Sequence, residues 1–455
     1  MTQDIVVLAA GKGSRMKSSL PKVLHRLANE PMVHRVLNVA SCLSDSKLHL
    51  VVGHQGEVVE QSCQKFNANI VWQHNPQGTG DALRRASSSL NDNGATLTLY
   101  GDVPLIRKET LERMISLSSF NTLVLLTIVL DDPSGYGRIV RDELGRVIAI
   151  VEQKDANDDE LAINEVNTGI LLAPNAHLKR WLNALTNENV QNEYYLTDII
   201  EMAAKEGVEI VTVSPEFEWE VSGVNDRVQL AALERVWQCR QSEAVMRNGA
   251  TLMDPSRIDI RGSLSTGQDC VIDVNCVFDG DVDLGKGVHI GPNCILKNCS
   301  IADGTVIKAN TMIEDSVVGE CCEIGPFARL RPGTKLAKKA KIGNFVETKK
   351  TVIGEGSKVN HLSYIGDACL GSAVNVGAGT ITCNYDGVNK SETLIGDNVF
   401  VGSNTSIVAP IEVQSGATIA AGSTITKTIK ADQLAFGRAK QMNKDGWKRP
   451  TKREK

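Results

Sequence analysis

The stretch IGDNVFVGSNTSIVAPIEVQSGATIAAGSTI, residues 395–425, sets branched aliphatic residues at Ile395, Val401, Ile407, Val413, Ile419 and Ile425, always six apart. A helix cannot use this spacing, because six residues turn it through about 600° and scatter the apolar positions over three sides. One long strand would place them on one face, since six is even. Yet Gly396, Asn398, Gly402, Asn404, Pro410, Gly416 and Gly422 interrupt it too often. The remaining reading is a strand and a corner repeated every six residues. Three such units make a triangular coil of about 18 residues, and stacked coils make a parallel β-helix.

The period extends upstream through Leu284, Ile290 and Leu296, then Val318, Ile324, Leu330, Leu336 and Ile342, then Ile353 and Ile365. From about residue 251 to 435 this predicts roughly ten coils. Register breaks near Lys297–Ser300 and Thr380–Lys390 predict insertions looping from the corners, where repeat scaffolds carry function. The hand of the coil cannot be read from the period.

The 455-residue chain has a formal charge of −5 and no apolar run near the ~20 residues of a membrane span. Broad nucleic-acid binding is disfavoured by this charge balance. Eleven cysteines, an odd count without a zinc-like CxxC pair, are expected to be mostly reduced thiols of a cytoplasmic protein, several filling solenoid positions.

The first 225 residues read differently. Apolar strands are predicted at Asp4–Ala10, Leu48–Val52, Asn69–Trp72, Leu97–Tyr100 and Leu123–Leu130, with helices such as Pro31–Val39 and Lys108–Leu117 between them. Alternating strands and helices predict an α/β domain on a mostly parallel sheet, with ligands outside the carboxyl ends of its strands. Gly11 and Asp102 each follow a strand directly. The loop Gly11–Arg15 would let backbone N–H groups approach phosphate, with Arg15 and Lys22 adding charge, but it matches neither GxxxxGK[ST] nor GxGxxG. Apolar residues Leu230, Leu233, Val236 and Trp237, with Gly249 as a stop, predict one long connecting helix.

The segment Leu8-Ala9-Ala10-Gly11-Lys12-Gly13-Ser14-Arg15-Met16 with Pro21-Lys22 resembles the signature of sugar-1-phosphate nucleotidyltransferases. Gln77-Gly78-Thr79-Gly80 and Tyr100-Gly101-Asp102-Val103-Pro104-Leu105 resemble their base-binding and metal-binding segments. With the hexapeptide repeats, the chain from about Asp4 to Arg449 resembles the bifunctional bacterial N-acetylglucosamine-1-phosphate uridyltransferase/glucosamine-1-phosphate acetyltransferase family. The resemblance implies a Rossmann-like nucleotidyltransferase domain over 1–225, a linker helix over 226–249, and a left-handed parallel β-helix acetyltransferase domain with a basic tail over 250–455. It also implies homotrimers, and a product that feeds bacterial cell-wall synthesis.

The same resemblance implies that Leu8, Ala9, Ala10, Gly11, Lys22, Gln73, Gly78 and Thr79 hold UTP. Tyr100, Gly101, Asp102, Gly137, Glu152, Asn167 and Asn225 would hold the sugar, and Asp102 with Asn225 would bind Mg²⁺. Lys22 and Arg15 would act in catalysis by neutralising phosphate charge. Hard oxygen donors suit Mg²⁺, and a phosphate monoester, already largely ionised with a second pKa of about 6, needs no general base. In the second half His361 matches the catalytic base, a role suited to a near-neutral imidazole. Arg331, Lys349, Tyr364, Asn375 and Lys390 match sugar-phosphate contacts. Ala378, Asn384, Tyr385, Ser403, Ala421 and Arg438 match the acetyl-CoA side of that pocket. Two positions depart from the family pattern: Asp81 stands where histidine is expected, and Gly437 where serine is usual. Three rival readings remain: a nucleotidyltransferase whose β-helix only regulates or trimerises, a non-catalytic scaffold, and a different sugar or nucleotide specificity, such as dTTP with glucose-1-phosphate. The first leaves His361 and the Arg331/Lys349/Lys390 cations without a purpose, the second Arg15, Lys22, Asp102 and Asn225.

Overall fold

A computed structural model describes residues 3–450 and 452. It divides into two compact units, one running to Trp237 and the other from Gln238.

In the first unit nine strands form one sheet among the described residues. In chain order they are β1 (Gln3–Ala9), β2 (Ser46–Val52), β3 (Asn69–Trp72), β4 (Ala95–Tyr100), β5 (Thr122–Val129), β6 (Arg138–Arg141), β7 (Val147–Val151), β8 (Glu165–Pro174) and β9 (Glu209–Val213). The spatial order is β9-β5-β8-β4-β1-β2-β3, with β6 and β7 extending beside β8. Ile5 of β1 lies opposite Leu48 and Leu97, so the central strands are parallel. β8 runs antiparallel to β4 and β5. β1 is buried along its whole length, as its unbroken apolar run requires with helices on both faces. The register of β8 shifts between Asn167 and Leu171. Gly169 sits in this bulge at φ +86°, where a Cβ would lie 2.7 Å from the Tyr100 ring. The bulge therefore lets β8 close onto the end of β4.

The long helix spans Arg227–Arg247. Asp226 caps it, its carboxylate accepting from the N–H groups of Val228 and Gln229 at 2.9 Å each. Gly249, at φ +99°, ends it in the left-handed region, as its position predicts. Within the first unit, Leu230, Leu233, Val236 and Trp237 pack with Met16, Leu27 and Met32. Within the second, Gln238 exchanges two hydrogen bonds with the backbone of Ile260, at 3.0 and 2.6 Å, and Val245 joins the solenoid core. The helix is thus not a last helix of the first unit alone.

The second unit is a parallel β-solenoid. One of its sheets stacks eleven strands, nearly all two residues long, in strict sequence order. Ile395, Val401, Ile407, Val413, Ile419 and Ile425 are all buried. Each coil needs a small buried polar residue near the corner, whose side chain meets a backbone carbonyl: Thr405 Oγ1 donates to Gly402 O at 2.6 Å, and Ser423 Oγ to Ala420 O at 2.6 Å. Cys270 and Cys322 do the same job, donating to Gly285 O and Ala337 O. All eleven cysteines are free thiols. Burial pushes the thiols of Cys322 and Cys299 up, to about 11 and about 12.

One expectation is corrected. No loop leaves the corner near Lys297–Ser300: Ile295–Ile301 is a continuous strand. The pairing changes from Asp279↔Lys297 to Val282↔Cys299, so the coil shortens from 18 residues to 17. Asn298 absorbs the missing residue in a left-handed conformation, φ +44°. The second break is a true insertion. Ala368 pairs with Thr393, a 25-residue step, and Tyr385 and Lys390 bridge across the extra loop. No helix among the described residues is long and apolar enough to cross a membrane.

Candidate active sites

The first site lies at the carboxyl ends of β1 and β4, where the sheet leaves backbone groups unpaired. A cavity of about 520 Å³ is lined by Leu8–Gly13, Lys22, Gln73, Gly78, Thr79, Tyr100 and Asp102 among others. Two smaller cavities adjoin it. One of about 210 Å³ holds Gly137, Glu152 and Asn167, and one of about 310 Å³ holds Arg15, Asp102 and Asn225. Tyr100 lines all three. The expected nucleotide and sugar residues therefore share one cleft, and Gly101 sits beneath it, its N–H bonded to Leu8 O at 2.9 Å.

Residues from distant parts of the chain meet at its rim. Val224 N–H donates to Asp102 O at 2.9 Å and brings Asn225 alongside. Asn225 Oδ1 accepts from Lys22 Nζ at 3.0 Å and from Arg15 Nη2 at 2.9 Å. Lys22 also pairs with Asp102 Oδ2. One ammonium group thus sits between the two residues expected to hold Mg²⁺. Gly13 makes this possible. At φ +59° its missing Cβ leaves room for the Lys22 stem, which would otherwise lie 2.4 Å away. Among the described residues no group of three or more His, Cys, Asp or Glu converges as a metal cage.

In the 210 Å³ cavity Asn167 N–H donates to Gly137 O at 2.9 Å, and Glu152 Oε1 accepts from Thr197 Oγ1 at 3.1 Å. Burial raises the Glu152 carboxyl, and Asp155 adds to the rise. Asp198, pushed up to about 6, is raised by burial first and by Glu152 second. Burial also raises the Tyr100 phenol, whose side chain meets Thr79. Thr197 and Gln229 carry no sequence motif, so only the structure brings them to the site.

Asp81 is fully buried beside this cleft. Its Oδ2 accepts from Gln73 Nε2 at 2.8 Å, and its Oδ1 accepts from Arg84 and Arg85 at 3.0 and 3.2 Å.

On the solenoid the expected residues line the outside of successive coils. His361 is exposed and its Nδ1 lies 2.9 Å from Asn344 Oδ1, one coil away. With that oxygen as acceptor, Nδ1 carries the proton and Nε2 keeps its lone pair. Asn344 was not anticipated: an 18-residue coil puts Gly343 one coil before His361, and the 17-residue step seen here puts Asn344 there. Around the next corner, Arg331 Nη1 bonds Glu347 Oε1 at 2.7 Å, and Glu347 pairs in register with Tyr364. Glu347 holds the Arg331 guanidinium above its usual range. The Lys349 ammonium is lowered, first by Lys390 beside it and further by Arg331. Glu347 and Glu314 face Arg331 and Asp367 faces Lys349, while Lys349 and Lys390 lie side by side, so like charges crowd this corner. Asn384 bonds Asp367 in the same neighbourhood, while the Tyr385 hydroxyl turns back to Gly387 O. Asn375 lies on the sheet of His361, one coil further on.

Four of the positions expected on the acetyl-CoA side form a ladder of hydrogen bonds. Asn404 N–H donates to Ala378 O at 2.7 Å, Gly422 N–H to Ser403 O at 2.8 Å, and Arg438 Nη1 to Ala421 O at 2.6 Å. The unusual Gly437 has a steric reason, since a Cβ there would lie 2.3 Å from Thr424 O. In the basic tail Lys444 lies over the Trp447 ring at 5.7 Å. Thr451 and Arg453–Lys455 of that tail lie outside the described residues, as do Met1 and Thr2.

Residues 5–140 match the MobA-like NTP transferase domain, 260–342 the GMPPB C-terminal domain, and 392–427 six bacterial transferase hexapeptide repeats. The chain is 71% identical over 453 residues to the bifunctional protein GlmU of Marinomonas sp. (strain MWYL1), covering 100% of both. It is 58% identical over 448 residues to that of Marinobacter nauticus, covering 98% of this chain and 99% of the relative. It is 54% identical over 452 residues to that of Chromobacterium violaceum, covering 99% of each. A cleft for a nucleotide on an α/β sheet and a hexapeptide solenoid, joined in one chain that matches these relatives end to end, place the protein in the GlmU family of bifunctional transferases.

Proposed function

We propose the following residue roles for the two reactions of this bifunctional transferase. The solenoid acetylates glucosamine-1-phosphate from acetyl-CoA, and the α/β unit joins the product to UTP, releasing pyrophosphate. The observation that carries the first-unit assignment is the meeting of Arg15, Lys22, Asp102 and Asn225 at one rim of the cleft.

In uridylyl transfer a phosphate oxygen of N-acetylglucosamine-1-phosphate attacks the α-phosphorus of UTP. The bond to the β-phosphate oxygen breaks, and pyrophosphate leaves. Gly11 and its neighbours offer backbone N–H groups to the triphosphate, and Gly137, Glu152 and Asn167 hold the sugar. Asp102 and Asn225 fit Mg²⁺, because two oxygen donors already share one cation there. When bound, the ion supplies positive charge and Lewis acidity to the phosphates. Lys22 then exchanges Asp102 for phosphate, and Arg15 neutralises the charge that develops.

In acetyl transfer His361 Nε2 takes the proton of the sugar amine as nitrogen attacks the thioester carbonyl. The C–N bond forms, the C–S bond breaks, and CoA leaves as the thiolate. Asn344 orients the imidazole, and Arg331, Lys349 and Lys390 hold the sugar phosphate. His361 and Lys390 are exposed on one chain, and Asn344, Arg331 and Lys349 are half-buried. Phe327 and Phe345, also exposed, stack 5.3 Å apart on neighbouring coils, an apolar stripe suited to other copies in a homotrimer.

The test uses the full-length protein. Thiol release from acetyl-CoA should require glucosamine-1-phosphate and survive EDTA. Pyrophosphate release from UTP should require N-acetylglucosamine-1-phosphate and be abolished by EDTA. Thiol release that ignores the sugar phosphate would overturn the acetyl assignment. Pyrophosphate release in EDTA would overturn the metal assignment. Sedimentation at one-chain mass would overturn the trimer.

A further inference from the structure

Gln73 is 2% exposed and lines the nucleotide cavity. Its Nε2 lies 2.8 Å from Asp81 Oδ2 and 3.2 Å from Gly78 O. A carboxylate and a backbone carbonyl can only accept hydrogen bonds. The NH₂ end of the amide must therefore face them, and both of its hydrogens are used. No hydrogen bond reaches Gln73 Oε1 among the described residues. The same holds for the N–H groups of Gly78 and Thr79, which line the same cavity at the start of a helix. The wall thus offers one fixed acceptor together with backbone donors.

We infer that Asp81 is a positioning residue for base specificity: it locks the Gln73 amide with its oxygen toward the nucleotide, so that the pocket selects a pyrimidine carrying a ring N–H, uracil, over cytosine. In uracil N3 is a donor and O4 an acceptor, which complements a carbonyl oxygen beside backbone N–H groups. In the same seat cytosine sets its N3 lone pair against Oε1 and its amine against those N–H groups. Without Asp81 only the longer bond to Gly78 O still holds the NH₂ end, so the amide turns more readily and can present a donor to cytosine N3. Three features make Asp81 a firm lock. It is wholly buried, it lies in the first turn of the helix Thr79–Ala86, and two guanidinium groups hold its other oxygen. Arg84 is itself fixed, 4.3 Å over the Tyr194 ring. A histidine at this position, as in the family pattern, can donate or accept according to its tautomer and imposes no single orientation.

The inference rests on the placement of UTP in this cleft, and the experiment separates the two. Pyrophosphate release is measured with UTP and with CTP for the full-length wild type, Asp81→Asn and Gln73→Ala. Circular dichroism and the melting curve of the same samples report that the first unit is folded in each. Asp81→Asn keeps the shape but can present a donor as well as an acceptor, so the kcat/KM ratio of UTP to CTP should fall about tenfold. Much of that change should come from a gain with CTP, which damage to the fold cannot give. Asp81→His, the residue of the family pattern, should move the ratio in the same direction. A loss of preference in Gln73→Ala with an unchanged ratio in both Asp81 variants overturns the lock alone. An unchanged preference in Gln73→Ala overturns the placement of the base as well.

Discussion

The two candidate sites are built in opposite ways. In the α/β unit the site is a walled cleft. Its residues come from positions as far apart as Arg15 and Asn225 and are held by one another: Lys22 bridges Asp102 and Asn225, and a bulge in β8 brings Gly169 against Tyr100. On the solenoid the site is an exposed ladder. Its residues lie about one coil apart in sequence, as with Asn344 and His361 or Arg331 and Lys349, and the backbone repeat sets their spacing. A cleft of the first kind is one coupled network, so a single change there disturbs several partners. A ladder of the second kind localises each change to its own coil.

Four substitutions test this contrast. The largest effect is expected for His361→Ala. Acetyl transfer should fall by about 10²–10⁴, the range of general acid–base catalysis, with uridylyl transfer unchanged. Parallel loss of both activities would break the separation. Next, Lys22→Ala should lower uridylyl transfer about 10²–10³-fold, as for a lost charge-stabilising group, and leave thiol release intact. If the cleft is a coupled network, removing Arg15 in addition should cost less than the product of the two single losses. Strict additivity would argue that the residues act separately.

Asn344→Ala should have a smaller effect, lowering kcat of acetyl transfer by about tenfold through loss of a single ring-orienting bond. Because Asn344 orients the ring without holding substrate, KM for both substrates should stay unchanged. A lower rate that comes with a raised KM and a lower melting temperature would mean that Asn344 only supports the coil.

The smallest effect concerns stability. Burial and Glu152 raise the Asp198 carboxyl to about 6. A carboxyl raised on folding contributes stability at low pH, and this is lost as pH climbs from about 4 to about 6. Asp198→Asn should therefore raise the melting temperature at pH 8 and change it little at pH 4. Equal shifts at both pH values would rule out the titration as the cause.

The chain disclosed its solenoid readily, because every coil repeats one local rule: an apolar residue inward, then a corner. At 18 residues per coil the same rule points to Gly343, and only the shortened coil brings Asn344 beside His361. It misled at Lys297–Ser300, where a shortened coil and an insertion both appear as a broken period. Asn298, able to take up a left-handed conformation, absorbs the change within the strand. In the α/β unit the strands β1 to β5 were legible from their apolar runs. The antiparallel β8 and its bulge were not, since a bulge is set by pairing with β4 and β5 rather than by its own sequence.

What the sequence determined by itself, then, was the coil period, the inward residues, the connecting helix and the short motifs at strand ends. Each is encoded within a few residues of itself. Only the tertiary structure decided that Asn225 meets Lys22, that Thr197 meets Glu152, and that Asp81 orients Gln73. The first two contacts join segments far apart in the chain. The third joins a strand end to a helix start, through side chains whose directions no period records.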